Sequence, residues 1–500
     1  MTTLRAKTIA IIGAGPSGLV AAKYLRAEKA FDKIVIFEQR AQAGGIWKYT
    51  PDEQNDDLFT IPQTNPKGKN QDPAWHEPKS QPLNGSANGV NGLRKRVPSF
   101  LSPVYDKLET NIPRGLMGFQ DLDWPQDSQL FPKHETVLEY IQEYGKDIQD
   151  LIEYETQVTN LEPADEDYSG RWHVTTRKLQ SNDQHKAIYD AVVVANGHFI
   201  VPYIPSISGI EEWNETHPGL ISHSKYYRHP EEFAGKKVIV VGNSASGVDI
   251  SSQIVSHSLH PLLWSVQSAS MFNPLSDSRK REFPPISRFL PATRAVEFED
   301  GSVEGDIDAV LFATGYFYSL PFLENLKPAL IGDGTHVQNT YQHLFYAPRP
   351  TLSLLALNQR VIPFPIAEAQ AAVVARVYSG RLTLPPLSKM TAWEEDTKKE
   401  QGDGRNFHVM SFPKDGNYIN GLGRWAGEAE TREGLDNGGR GKLGPRWGEW
   451  EFWCRENFPT IRVKFGERGE ERVGIRTLKE LGFDFEEHLK TKAKEEGKLI

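Results

Sequence analysis

Two stretches of the chain share one pattern: an unbroken β-branched run, a break into small residues, then apolar residues at helical spacing. Residues 8–13 (TIAIIG) predict a buried strand that breaks into Gly-Ala-Gly-Pro-Ser-Gly, and the Ala- and Leu-rich residues 19–27 predict the helix after it. Residues 33–38 (KIVIFE) predict a second buried strand, closing a strand-turn-helix-strand unit. Residues 237–242 (KVIVVG) open another such unit, with 262–266 as its next strand and 308–313 (DAVLFA) as a further buried strand. Elsewhere the period predicts a helix over 137–148 and a pair of buried strands at 172–176 and 191–195 (AVVVA). A helix over 366–379 closes at Gly380. Residues 50–100 lose all period to Pro, Asn, Gly, Lys and Gln, and read as an extended, largely loop insertion. From about residue 390 Trp, Gly and charge are mixed, and no element is defined.

Length and composition narrow the class. The chain has 500 residues, enough for roughly three units of ordinary size. Lys+Arg is 57 against Asp+Glu 66, a net charge of −9, so nothing electrostatic points to nucleic acid. Mean hydropathy is −0.51, and no run approaches the ~18 apolar residues that span a bilayer. The first residues hold no signal-type stretch and the last are charged, so the expectation is a cytoplasmic protein without a membrane anchor. Cys454 is the single cysteine, which excludes an internal disulfide, a redox-active Cys pair and a zinc–cysteine cluster; no metal site is expected.

The first small-residue break, Gly13-x-Gly15-x-x-Gly18 with Pro16 and Ser17 inside it, has the spacing of a pyrophosphate cradle. Gly13 permits the tight turn, Gly15 lets backbone approach a pyrophosphate, and Gly18 allows helix and strand to pack closely. Glu38, at the end of the next strand, places a carboxylate where it can accept both hydroxyls of an adenosine ribose. The alternative, a glycine turn without a ligand, lacks a reason for the strand, helix and acid all to be in place. The second break, Gly242-Asn243-Ser244-Ala245-Ser246-Gly247, has Ser244 where the middle glycine belongs. The strand after it ends at Gln267-Ser268 without an acid, which argues against NAD and leaves room for a 2′-phosphate. Arg279, Lys280 and Arg281 are its candidate partners, although none sits at the usual strand end and such a run is commonly solvated. Two cradles imply two cofactors face to face: FAD at the first, and at the second a nicotinamide that reduces it. Without a cysteine pair, the flavin must pass its electrons to oxygen, a quinone or an external carrier.

Beyond these turns the sequence resembles the flavin-containing monooxygenases over most of its length, excepting residues 60–95 and the last forty. The resemblance is carried by Glu38-x5-Gly44-Gly45-Ile46-Trp47, by TNIPRGLMGF at 110–119, and by HPGLISHSKYY at 217–227, similar to the family's FxGxxxHSxxY. GNSASGVD at 242–249 and FATGY at 312–316 complete the order. His217 replaces the motif's Phe, Ser244 its Gly, and Asn196 stands where Thr or Ser is usual; the pattern NFHVMSFPKDGNYINGLGRWA is most similar to fungal members.

The resemblance implies an α/β fold with two Rossmann-like dinucleotide-binding domains, the NADP domain inserted into a discontinuous FAD domain. The expected boundaries are 1–212, 213–320 and 321–500. It further implies that NADPH reduces FAD, that O2 adds at flavin C4a, and that bound NADP+ shields the resulting hydroperoxide. A nucleophilic N or S atom of a small molecule (an amine, thiol or sulfide) then takes the oxygen. Asn111 matches the family's active-site Asn and is expected to be catalytic and to contact the cofactors. Gly45, Ile46 and Trp47 are expected on the flavin side, as are Thr314 and Gly315, which link the domains. His223 and Tyr227 are expected to serve domain linkage and nucleotide binding. Three rivals stay open: a Baeyer–Villiger monooxygenase on a ketone, an NAD(P)H-dependent flavoprotein reductase, and a non-catalytic nucleotide sensor. Tyr227 at the motif's end favours oxygenation of a heteroatom over the first of these.

Overall fold

The strand Thr8–Ile12 is apolar and buried from Ile9 onward because both of its faces are covered. Ile9 and Ile11 point into a core built with the helices Pro16–Ala27 and Pro363–Tyr378, while Ala10 and Ile12 point into a second core on the opposite side of the sheet. In this computed structural model, which describes residues 2–53, 56–77, 96–164, 170–270 and 277–495, that strand is central in a seven-stranded sheet. The order is Thr340–Tyr341, Phe345–Tyr346, Leu352–Leu354, Ala191–Val194, Thr8–Ile12, Lys33–Phe37 and Ile152–Glu153, parallel from Leu352–Leu354 onward.

A second sheet, parallel throughout, has the order Ile221–His223, Ala309–Phe312, Val238–Val241, Leu262–Ser265 and Lys280–Phe283. It too is buried on both faces, with Ile239, Leu263 and Val310 on one side and Val240, Trp264 and Leu311 on the other. The fold is therefore α/β with two Rossmann-like domains, the second inserted into the first. The chain enters the insert through Val201–Pro202 and leaves through Tyr316–Phe317, and these two segments pair antiparallel.

One strand pairing differs from the sequence expectation. Trp172–Lys178 does not pair with Ala191–Val194; it is the middle of an antiparallel meander with Thr156–Pro163 and Gln184–Tyr189. Its burial alternates, as suits a sheet with one wet face, whereas the AVVV run is buried throughout and takes a central parallel slot. The expected helix over 137–148 is His134–Tyr144 followed by a 3₁₀ stretch. The later helix runs Pro363–Tyr378, with Ser379 as its cap and Gly380 in the left-handed conformation just beyond.

The region after residue 390 is mainly helical: Leu387–Gln401, Lys414–Gly427, Glu449–Glu467 and Phe485–Glu495. Lys414–Gly427 packs on Pro363–Tyr378, placing Ile419 and Leu422 in the first domain's core, and Glu449–Glu467 adds Trp453 and Cys454 to it. Two buried ion pairs brace this part of the chain, one to the end of helix Pro16–Ala27 and one between helices Glu449–Glu467 and Lys414–Gly427. Arg381 reaches both oxygens of Glu28 at 2.7 Å, and Arg455 Nε donates to Asp415 at 2.6 Å. The described part of the 50–100 insertion is anchored as well: Gln63 bridges to Ile204, and Ala74–His76 pairs with Val97–Ser99.

Candidate functional site

The first cradle is built by two close approaches that only glycine permits. At Gly18 a Cβ would lie 1.9 Å from the Gly13 carbonyl oxygen; at Gly13, where φ is +100°, it would lie 2.8 Å from Ala195 O. Gly15 is the N-cap of Pro16–Ala27 and offers no side-chain cap, so the first-turn N–H groups, including that of Ser17, remain for an anion; Pro16 has none to give. Against this turn lies Gly45–Trp47, with Gly44 N donating to Ala14 O at 3.0 Å. A Cβ on Gly45, where φ is +58°, would lie 3.0 Å from Gly15 Cα, so this wall too is closely packed on the turn. Ile46 O accepts from the Ser102 hydroxyl, and half-buried Trp47 packs on the first core. Glu38 closes the cradle: its carboxylate accepts from Ala14 N and Arg40 N, each at 2.7 Å. Burial pushes its pKa up, while those N–H groups favour the charged form. Its two oxygens have further lone pairs for ribose hydroxyls.

The second cradle repeats the first. Gly242 has φ +106° and a Cβ there would lie 2.7 Å from Ala313 O; one on Gly247 would lie 2.1 Å from Gly242 O. Ser244 takes the N-cap place with φ −81° and ψ −169°, beside −73° and −178° at Gly15. The substitution thus leaves the backbone of the turn as it is in the first cradle. Ala245 and Ser246 open the helix Ala245–Ile254, and Asn243 donates from its amide to Ser268 O.

The cations considered for a 2′-phosphate are elsewhere. Lys280 pairs in register with Leu262, at the start of the parallel strands, whereas nucleotides bind beyond their carboxyl ends. Arg279 is engaged by Asp277 at 2.8–2.9 Å, Lys280 by Ser251 and Ser252 at 3.0 Å, and Arg281 lies 3.5 Å from Glu304.

Between the cradles the HSKYY segment meets the crossing strands. His223 Nδ1 accepts from Lys225 N at 3.1 Å, which puts the ring hydrogen on Nε2, and Nε2 donates to Gly315 O at 3.0 Å. Burial lowers the His223 pKa to about 3, so the ring is neutral. Gly315 O also accepts from Tyr203 N at 2.9 Å, and the Thr314 hydroxyl donates to Tyr203 O. Tyr227 OH donates to Gln253 of the nucleotide-binding helix at 3.0 Å, its ring edge-on to Tyr105. His217, in place of Phe, still packs against Trp213, and its Nε2 lies 2.8 Å from Pro291 O.

Sequence reasoning missed the residues that brace this junction. Asp56 takes the buried ammonium of Lys225 and the hydroxyl of Tyr226, so a residue of the insertion grips the motif. Arg228, 1% exposed, gives its guanidinium to the carbonyls of Glu53, Lys225 and Tyr227. The signal available was two cations, Lys225 and Arg228, flanking the tyrosine pair of the motif.

Asn111 lies in a loop pinned on both sides. Thr110 N donates to Pro132 O at 2.9 Å, Ile112 enters the first core, and the helix Arg114–Met117 follows. Glu109, 7% exposed, is held by Arg472 at 3.1 Å and by Gln129 at 3.1 Å. The half-buried Asn111 amide itself has no hydrogen-bond partner among the described residues.

Two matching dinucleotide cradles joined by one interdomain crossing define a two-nucleotide oxidoreductase. Family comparison narrows this: the chain matches the flavin-binding monooxygenase-like family over residues 88–284 and 286–433, and an NAD(P)-binding Rossmann-like domain over 11–75. It is 34% identical over 403 residues to the flavin-containing monooxygenase FMO GS-OX3 of Arabidopsis thaliana, covering 77% of each chain. It is 29% identical to the flavin-containing monooxygenase iboF of the fungus Amanita muscaria, covering 85% of this chain and 89% of that one. The solved structure of S-allyl-L-cysteine S-oxygenase from Allium sativum matches with a TM-score of 0.73 at 27% identity, over 99% of both chains. The chain belongs to the flavin-binding monooxygenase-like family. It is an enzyme, FAD and NADPH are its cofactors, and a small molecule and O2 are its substrates. Among the described residues no helix is long and apolar enough to cross a membrane.

Proposed function

We propose that this enzyme transfers one oxygen atom from O2 to a nucleophilic sulfur or nitrogen of a small molecule, with NADPH as the electron donor. In this reading Gly13, Gly15, Ser17 and Gly18 hold the FAD pyrophosphate, Glu38 its ribose, and Gly45, Ile46 and Trp47 wall its flavin side. Gly242, Asn243, Ser244, Ala245, Ser246 and Gly247 hold NADPH. Bound FAD supplies the redox chemistry that activates oxygen.

The observation that carries the reading is the uncommitted amide of Asn111 on a loop whose neighbours are all engaged. An amide donates a hydrogen bond yet offers no acidic proton, so it would orient an oxygen-bearing group or a nicotinamide ribose without supplying a proton to it. His223 adds no acid either, because both ring nitrogens serve the chain and burial keeps the ring neutral. Likeness to an S-oxygenase over 99% of the chain favours sulfur.

The test is to supply NADPH and isotopically labelled O2 with a panel of thioethers, including S-allyl-L-cysteine, and of amines. The expected result is NADPH consumption matched by labelled S- or N-oxide. Consumption matched only by hydrogen peroxide across the panel, or labelled ester from a ketone, would overturn the reading.

A further inference from the structure

The family match ends at residue 433, yet the helix Glu449–Glu467 beyond it reaches both domains. Its Arg462 guanidinium lies over the rings of Phe131 and Phe465, with Nη2 3.4 Å from Glu109 Oε2 and 3.9 Å from Asp249 Oδ1. Glu109 is two residues before Asn111, and Asp249 is two residues after Gly247. Among the described residues no other cation lies within ion-pair distance of both carboxylates.

We infer that Arg462 is a positioning residue: it couples occupancy of the nucleotide cradle to the placement of the Asn111 loop. The inference rests on the role proposed above for Asn111. A dinucleotide seated on Ala245–Ile254 fixes that helix, hence Asp249, hence Arg462 and the carboxylate that heads the loop. The partners left behind argue that this is a link and not a structural prop. Without Arg462, Glu109 keeps Arg472 and Gln129, and Asp249 keeps the hydroxyl of Tyr105 at 2.5 Å and the amide of Gln253 at 2.9 Å. Neither carboxylate is stranded, and the Tyr105 hydroxyl remains as a second tie from Asp249 to the segment before Asn111; what is lost is the direct tie from Asp249 to Glu109.

The test is amide hydrogen exchange on the FAD-loaded full chain, with and without NADP+, for the wild type, Arg462→Met, Arg462→Lys and Asp249→Asn. In the wild type NADP+ slows exchange across residues 108–118. Arg462→Met and Asp249→Asn at least halve that NADP+-dependent slowing and raise the NADP+ dissociation constant by about fivefold. Arg462→Lys restores part of it, and exchange in Glu449–Glu467 is unchanged. Slowing of full size in Arg462→Met, or none in a wild type that binds NADP+, overturns the inference. Exchange is read without turnover, so absence of S- or N-oxide alongside intact coupling would count against the proposed function and not against this link.

Discussion

The Nε2 hydrogen of His223 is donated to the carbonyl oxygen of Gly315 at 3.0 Å, so an uncharged imidazole joins the HSKYY motif to the strand leaving the inserted domain. The bond requires one tautomer of a neutral ring, and acid is therefore its natural opponent.

His223 and the buried His343 both have pKa values lowered to about 3 by burial, whereas an unfolded histidine protonates near about 6.5. Between those values the unfolded chain binds more protons, so stability falls as pH falls from about 6.5 towards 3. Each group contributes a slope of about 1.4 kcal/mol per pH unit. Thermal unfolding of the FAD-loaded enzyme should show a melting temperature that declines steadily below about pH 6. His343→Gln should flatten that decline; a melting temperature that rises toward acid would contradict the assignment.

The cradles should fail separately. Gly247→Ala puts a methyl 2.1 Å from Gly242 O, and Gly18→Ala puts one 1.9 Å from Gly13 O. Overpacking against backbone costs about 1–3 kcal/mol. The purified Gly247→Ala enzyme should keep its yellow flavin and need about ten- to a hundredfold more NADPH for half-maximal reduction. Gly18→Ala should instead be isolated largely without flavin. Equal flavin content and equal NADPH dependence in the two variants would break the assignment of cradles to cofactors.

Arg381 faces a carboxylate, Glu28, that is 1% exposed. Arg381→Met strands that charge and should cost about 3–5 kcal/mol of stability, seen as an early chemical unfolding transition. Adding Glu28→Met should recover most of the loss. A single variant as stable as the wild type would mean the pair contributes nothing.

Asn111→Ala removes an amide that has no hydrogen-bond partner among the described residues. FAD content, melting temperature and the rate of flavin reduction by NADPH should stay within about twofold of wild type, as for a substitution that breaks no packing or hydrogen bond. Oxygenated product should fall at least about tenfold while hydrogen peroxide rises to balance the NADPH consumed. Unchanged product yield would remove Asn111 from the site.

The two cradles were legible because their constraint is local. A strand, a left-handed glycine and a second glycine packed on the first's carbonyl leave little choice of residue at positions 13, 18, 242 and 247. Strand partnership was not legible in the same way: AVVV announces burial on two faces without saying which strand lies beside it. The cation run at 279–281 showed charge but not which end of a strand carries it, and only the register with Leu262 decides that. The tail hid its helices for another reason. Leu387–Gln401 is polar around most of its surface, and Glu449–Glu467 has Pro459 inside it, so tertiary contacts rather than pattern define both.

Because Val201 pairs with Phe317 and Pro202 with Tyr316, the two ends of the inserted domain lie one strand spacing apart, about 5 Å. A domain whose ends meet so closely is a cassette: it can be lifted out and the gap closed by a short turn without unthreading the flavin sheet. The seven-stranded sheet needs nothing from between those two strands to complete its own ladder. Grafts of another dinucleotide module at this doorway are therefore a practical route to changing which electron donor the flavin accepts.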